Sequence, residues 1–332
     1  MISNLKINNN FDILRLILAI LVFFAHWNIL TSQNILNPLF HLSGFAVDMF
    51  FIVSGFLIFW SFDTDQNKKH FYIKRFFRIF PLYAFLIILQ TLFFIGFSDG
   101  DILEIIKYFV VNIFFLNFLA PSVGSALSSL EVNAINGSLW TLKNEVAFYA
   151  LVPLLFILHK KWGSYFFFGL YGLSVLYMLV VDYLGVTKLL VQFPAQFRLF
   201  LVGIILYVFF DKFKNKSIYF LAILSLILIF LFKDFSYFRY IFYPFCIGLV
   251  MIYLVYIVKN IKINFDFSYS FYILHFPSIQ LALYFGINPT NPIVSFASLF
   301  AVILVLSYFS EIYIEKKFVK IGKNIVKKNK NK

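Results

Sequence analysis

Apolar residues in this chain fall in long, nearly unbroken blocks. Eleven runs stand out, at residues 11–31, 40–62, 78–96, 105–119, 145–158, 164–181, 197–210, 217–232, 238–258, 267–285 and 292–314. A helix crossing the hydrocarbon core of a bilayer needs about 20 predominantly apolar residues, so these lengths predict membrane-spanning helices. The fold class expected is therefore an all-α integral membrane protein. Arg15 and His26 interrupt the first run and no small-residue cleavage site follows it, so this run is expected to stay in the protein as a helix, not to leave as a signal peptide.

The polar segments between runs set the orientation. Basic residues concentrate at the two ends and after runs 2, 5, 7 and 9: Lys6; Lys68, Lys69, Lys74, Arg75 and Arg78; Lys160 and Lys161; Lys212, Lys214 and Lys216; Lys259 and Lys262; and the lysines from Lys316 to Lys332. The positive-inside rule makes these segments cytoplasmic. Two of them are separated by runs 3, 4 and 5, and three crossings would put them on opposite sides. Run 4 is the one expected not to cross, because it is short, contains Lys107 and Asn112, and follows Asp99, Asp101 and Glu104. The expectation is about ten transmembrane helices, both termini cytoplasmic, and one long external segment at 97–144 that is re-entrant or interfacial in part. Residues 1–315 read as one transmembrane domain and 316–332 as a basic cytoplasmic tail.

Composition supports this reading. Of 332 residues 62% are apolar, 22% are aromatic and 13% are charged, whereas an ordinary soluble domain carries about 25% charged residues. Disorder and coiled coils are excluded. A disulfide-stapled secreted fold is also excluded, because Cys246 is the single cysteine. The formal charge of +13 follows from orientation and from attraction to anionic membrane lipids; no nucleic-acid partner is expected. His41, His70 and His159 show no metal-ligand spacing, and no metal is expected.

Charged residues inside a membrane cost roughly 2.5–3.5 kcal/mol each on insertion scales and concentrate where a protein does its work. Arg15 and His26 lie eleven residues apart in the first run, close to whole helical turns, so they share a face about 16 Å apart along the axis. An arginine near the cytoplasmic side suits an anionic ligand. An imidazole higher up suits acid/base chemistry, since its ordinary pKa of about 6.5 lets it take and return protons near neutrality. The competing reading is a snorkelling arginine with a hydrogen-bonded interfacial histidine. Asp48, at comparable depth in the second run, either orients the imidazole or pairs with an arginine in helix packing; Gly44, Ser54 and Gly55 are small enough for close helix contact. Arg75 and Arg78, three residues apart at a cytoplasmic mouth, either grip phosphates or anchor the membrane surface. Ser138, Trp140 and Glu145 face outward, where an aromatic beside a carboxylate is a way of holding sugars as well as an interfacial anchor. His275, beside Pro277, is either functional or a packed polar residue. Asp12, Arg198 and Glu311 are border or intramembrane charges without a nameable partner.

These segments, in this order, resemble the acyltransferase-3 family of membrane-embedded bacterial acyltransferases. The matches are Phe11-Asp-Ile-Leu-Arg15 with His26; Gly44-Phe-Ala-Val-Asp48-Met-Phe-Phe-Ile-Val-Ser-Gly-Phe-Leu-Ile58; Lys74-Arg-Phe-Phe-Arg78-Ile-Phe-Pro81; Ser138-Leu-Trp-Thr-Leu-Lys-Asn-Glu145-Val-Ala-Phe-Tyr149; and Ser268-Tyr-Ser-Phe-Tyr-Ile-Leu-His275-Phe-Pro277. The resemblance implies an enzyme of the bacterial cytoplasmic (inner) membrane that moves an acyl group, usually acetyl, from cytoplasmic acetyl-CoA to a hydroxyl of a cell-surface or lipid-linked polysaccharide such as O-antigen, capsule or exopolysaccharide.

Carried over by position, His26 is the catalytic histidine with Arg15 as its functional partner, and Asp48 and Glu145 belong to the catalytic set. Arg75 and Arg78, with Arg15, handle the acetyl-CoA donor, while Trp140, Ser138 and His275 meet the acceptor. Expected partners are acetyl-CoA, the glycan acceptor, membrane lipids, and a second copy or a glycan-assembly protein. The match loosens around Arg198 and Gly203. A polysaccharide exporter, flippase or polymerase is the competing class, and it needs no acyl donor. The glycan, its hydroxyl, the acyl group and the choice between direct transfer and an acyl-histidine intermediate stay open at this level.

Overall fold

The computed structural model describes residues 9–33, 42–213, 217–261, 263, 265–287 and 291–330; Lys6, His41, Lys214, Lys216, Lys262 and Lys332 lie outside them. The described residues form helices and no strands: α1 (Phe11–Thr31), α2 (Ser43–Thr64), α3 (Lys68–Phe97), α4 (Ile102–Ile113), α5 (Trp140–Trp162), α6 (Phe166–Tyr183), α7 (Phe193–Val208), α8 (Ser217–Phe232), α9 (Ser236–Ile241), α10 (Tyr243–Tyr256), α11 (Ser268–Tyr284), α12 (Pro292–Ser310) and α13 (Lys316–Lys330). Seven stretches are long and apolar enough to cross a membrane: Phe11–Thr31, Ser43–Thr64, Lys68–Phe97, Gly137–Trp162, Phe166–Tyr183, Thr187–Val208 and Pro292–Lys330. The other crossings expected from sequence fall on α8, α10 and α11, which have 16, 14 and 17 residues. The run at 238–258 is broken between α9 and α10, where Pro244 has no N–H to continue the helix ladder.

The chain divides into two compact units. One comprises Met1–Leu18, Gly44–Phe71 and Asn144–Asn264. Its centre is the close approach of α2 and α7. A Cβ on Gly55 would sit 2.1 Å from the Phe200 carbonyl oxygen, and one on Gly203 would sit 2.1 Å from that of Ile52, so both positions need glycine for the helix backbones to touch. Gly44, by contrast, has open space where its Cβ would be, so it is not a packing contact. Asn10 is buried and donates from Nδ2 to the carbonyls of Leu254, Val258 and Lys259 at 3.1, 3.2 and 3.3 Å. It thereby satisfies acceptors that the end of α10 leaves open.

The other unit comprises Ala19–Ser43, Tyr72–Lys143 and Phe265–Lys332. It contains the external segment of the sequence reading. At twelve residues, α4 is about 18 Å long, well short of a hydrocarbon core about 30 Å thick. Asp101 caps it by accepting from the Glu104 N–H at 2.8 Å. Ile105, Tyr108 and Asn112 form its buried face, while Leu103, Ile106 and Val110 are exposed. Asp99 clasps the loop beyond it, accepting from the Ser125 N–H and Oγ–H at 2.6 Å each. These bonds hold its carboxyl below the ordinary carboxylate pKa. Gly124, at φ +54°, lets the backbone pass beside that carboxylate.

Between α12 and α13 the helix widens into one π turn, Glu311–Glu315, whose two glutamates are 2% and 3% exposed. Their carboxylates accept from the backbone of the α11 entrance: Asp266 N–H to Glu311 Oε1 at 2.8 Å and Ser270 N–H to Glu315 Oε1 at 3.2 Å. Negative charge there matches the unpaired N–H groups and the positive end of the helix dipole. The residues read as a basic tail form the helix α13, on which Gly322 packs against the Phe77 ring.

Candidate functional site

The site is centred on a pair of imidazoles. α1 carries His26 and α11 carries His275, and His26 Nδ1 lies 2.7 Å from His275 Nε2 with the rings stacked at 16°. His275 is completely buried and its Nδ1 lies 3.2 Å from the Phe271 carbonyl oxygen. A carbonyl only accepts, so His275 Nδ1 carries the proton and its Nε2 is the acceptor toward His26. His26 must then donate from Nδ1, which leaves the Nε2 lone pair of His26 free of a proton. That is the tautomer a general base or nucleophile requires.

The backbone around this pair follows from one proline. Pro277, inside α11, has no N–H to offer the carbonyl of Ile273 four residues earlier. The Asn136 side chain supplies the missing donor, Nδ2 to Ile273 O at 2.9 Å, and its Oδ1 accepts from the Ser138 N–H at 3.2 Å and Ser138 Oγ–H at 2.7 Å. Thr141 Oγ1 donates to the Ser138 carbonyl at 3.0 Å and so accepts from Tyr272 O–H at 2.8 Å. Gln280 Nε2 donates to the carbonyls of Val132 and Ala134 at 2.7 Å each. The turn before α5 is thus bonded to α11 about one helical turn from His275.

Gly137 completes the fit. A Cβ there would lie 2.7 Å from Phe276 Cζ, and Phe276 meets His26 edge-on at 4.9 Å between centroids. Gly137→Ala should therefore displace Phe276 and with it the imidazole, at a stability cost of about 1–3 kcal/mol for overpacking. Thermal unfolding of the detergent-solubilised variant checks the cost; an unchanged midpoint would mean that the ring has room to yield.

The remaining sequence-predicted residues are distributed. Ser138 is buried in the Asn136 network, and Trp140 is half-buried beside it. Arg75 is half-buried on α3. Arg78, 27% exposed, is held by carboxylates, with Nη2 2.8 Å from Asp266 and Nη1 3.6 Å from Glu315. Within the first unit, Arg15 is half-buried on α1. Asp48 shares its electrostatic surroundings with Arg198 and Arg239, the helix-packing alternative of the sequence reading; the orienting partner seen on His26 is His275. Arg198 is 3% exposed, donates from Nε to Met178 Sδ at 3.0 Å, and now has the acidic neighbour that sequence could not name. Glu145 accepts from Tyr149 O–H at 2.5 Å and Ser54 O–H at 3.3 Å, which ties α5 to α2.

Asn136, Thr141 and Tyr272 were not singled out from sequence. The signal for Asn136 was Pro277, whose freed carbonyl demands a donor. Among the described residues no group of three or more His, Cys, Asp or Glu is placed to hold a metal ion.

Long apolar helices with two stacked imidazoles among them define a multi-pass helical membrane protein. The chain belongs to the acyltransferase-3 family, whose profile, described as "Acyltransferase domain", matches residues 8–311. It is 32% identical over 173 residues to Nodulation protein 10 of Rhizobium leguminosarum bv. viciae, covering 46% of each chain. It is also 32% identical over 172 residues to an O-acetyl transferase of Shigella phage Sf6, covering 48% of this chain and 49% of that protein. These alignments span about half the length of the curated relatives. No solved structure is a significant match.

Proposed function

We propose that this protein is an O-acetyltransferase that takes acetyl from cytoplasmic acetyl-CoA and places it on a hydroxyl of a cell-surface or lipid-linked polysaccharide. The observation that carries this reading is the fixed tautomer of the His26–His275 pair within a family of acyltransferases. The unprotonated Nε2 of His26 takes the proton of the sugar hydroxyl as its oxygen attacks the thioester carbonyl. The C–S bond then breaks, and the departing CoA thiolate receives the proton from His26. His275 Nε2 accepts from His26 Nδ1 throughout and keeps the ring oriented. The same lone pair serves an acyl-histidine route, in which it attacks the thioester first.

In this reading the chain crosses the bacterial inner membrane ten times with both termini cytoplasmic, Arg75 and Lys74 meet the CoA phosphates, and Trp140 meets the acceptor. The neighbouring carboxylates alter the part played by Arg78. Asp266 and Glu315 offset its charge, so it chiefly clamps α3 to the entrance of α11, and Arg75 carries more of the donor contact. The lysines of α13 face anionic lipid.

Arg75→Ala should raise the acetyl-CoA KM about tenfold with little change in melting temperature. Arg78→Ala should mainly destabilise, because it strips a partner from buried Glu315. Breaking a fully buried pair costs about 3–5 kcal/mol, and the 27% exposure of Arg78 reduces that figure. The reverse pattern would reassign the two arginines. The whole reading is tested by the NMR spectrum of the surface glycan with and without the gene. Loss of ester-linked acetate at unchanged glycan length and export supports it; altered length or export with intact esters favours a carrier.

A further inference from the structure

The segment between α3 and α5 lines an open recess of about 170 Å³ in the same unit as the imidazole pair, small for a ligand site and suited to part of one sugar ring at a time. Its lining includes the aromatic rings of Phe115, Phe118 and Trp140 and the polar side chains of Asn112, Asn117 and Lys143. Most of the amide capacity is already spent. Asn112 Nδ2 donates to the carbonyls of Tyr108 and Ala120 at 2.8 and 2.9 Å. Asn117 Nδ2 uses both hydrogens, on Tyr83 OH at 2.9 Å and Asn112 Oδ1 at 2.7 Å. The Asn117 amide is therefore locked in one orientation, and its Oδ1 is buried with no hydrogen-bond partner. An acceptor left unpaired in this way calls for a donor hydrogen from outside the protein, that of a water or of a ligand hydroxyl or N–H.

Two further observations point the same way. Phe115 is held at φ +64° and stacks on Tyr83 at 4.1 Å; non-glycine residues rarely adopt that backbone conformation, and such strain clusters at binding sites. Lys143 places its ammonium 4.6 Å from the centre of the Phe118 ring. Among the described lining residues Lys143 is the one with a formal charge. Gly137 also lines it, and the ring of Phe276, which fills the space beside Gly137, meets His26. The Phe276 ring thus touches both Gly137 of the recess and the imidazole.

We propose that this recess is the acceptor subsite and that it takes an anionic sugar, a pyranose bearing a carboxylate or a phosphate. The aromatic faces pack against the C–H faces of the ring, Asn117 Oδ1 receives a ring hydroxyl, and Lys143 pairs with the anionic substituent. The assignment rests on the acetyltransfer reading for what happens next, but binding itself is measurable without acetyl-CoA.

The experiment uses the full chain in lipid nanodiscs and saturation-transfer NMR with three probes: methyl glucoside, methyl glucuronide and glucose 6-phosphate. The expected result is at least tenfold tighter binding of one or both anionic probes than of the neutral one, and the tighter of the two identifies the anionic group. Lys143→Gln should erase that preference and Lys143→Arg should keep it, while Asn117→Ala should weaken all three probes about tenfold. Melting curves of each variant ensure that only folded protein is compared. Equal binding of neutral and anionic probes, or undiminished binding by folded Asn117→Ala, overturns the subsite. Acetyl-CoA turnover is scored separately: probe binding without any acetyl transfer would leave the recess standing and remove the acetyltransferase reading.

Discussion

His26→Ala should abolish acetyl transfer, with a fall of about 10²–10⁴-fold if the ring acts as general base, and more if it carries the acyl group. The reason lies in the direction of two hydrogen bonds. The Phe271 carbonyl fixes the proton on His275 Nδ1, so His275 accepts from His26 and leaves His26 Nε2 as the only basic nitrogen of the pair. Substitutions at His275 separate orientation from bulk. His275→Gln can still offer an oxygen acceptor to His26 Nδ1–H, whereas His275→Leu cannot, so the Gln variant should retain more activity. Both should lower kcat and leave the acetyl-CoA KM nearly unchanged, because the donor phosphates are expected at Arg75 and Lys74. Radiolabelled acetyl transfer by purified, normally folded variants measures this. Full activity in folded His26→Ala would remove the imidazole from the mechanism.

The largest effect on stability is expected from Asp48→Ala. Asp48 is partly covered, while Arg198, whose charge it offsets, is 3% exposed. Removing Asp48 leaves buried Arg198 with less compensation; because the two interact across space and not in a direct ion pair, the expected loss lies below the about 3–5 kcal/mol of a contacting buried pair. Arg198→Met should cost less, and the double variant Asp48→Ala/Arg198→Met should recover part of what Asp48→Ala loses. A melting-temperature cycle on the four proteins yields the coupling. Strict additivity of the two single changes would show that the residues do not act on one another, and would return Asp48 to the catalytic candidates.

Sequence alone revealed the helices where apolar length decides. α1 spans the expected 11–31 and α8 the expected 217–232, because a chain segment of that hydropathy has no stable place except in lipid or protein. It did not reveal the break between α9 and α10, since a hydropathy run ignores what Pro244 does to the backbone. Arg15, His26, Asp48, Glu145 and His275 were identified as polar groups out of place among apolar ones, and Arg78 as part of a basic cluster at a cytoplasmic mouth. Their pairings were not legible, because His26 and His275 are 249 positions apart and helix periodicity carries no information at that range. Arg78 illustrates the limit well. Its charge suggested an anion, and the anions it meets are Asp266 and Glu315 of the protein itself.

The bond between Asn136 and the carbonyl freed by Pro277 spans 137 positions, and this has a bearing on biogenesis. At about 5–20 residues per second, the ribosome makes Ile273 roughly 7–27 s after Asn136. Throughout that interval the outer turn has no anchor on α11, and His26 has no second imidazole to set its proton. The imidazole pair therefore forms only once α11 has been made, well after the helix that carries His26.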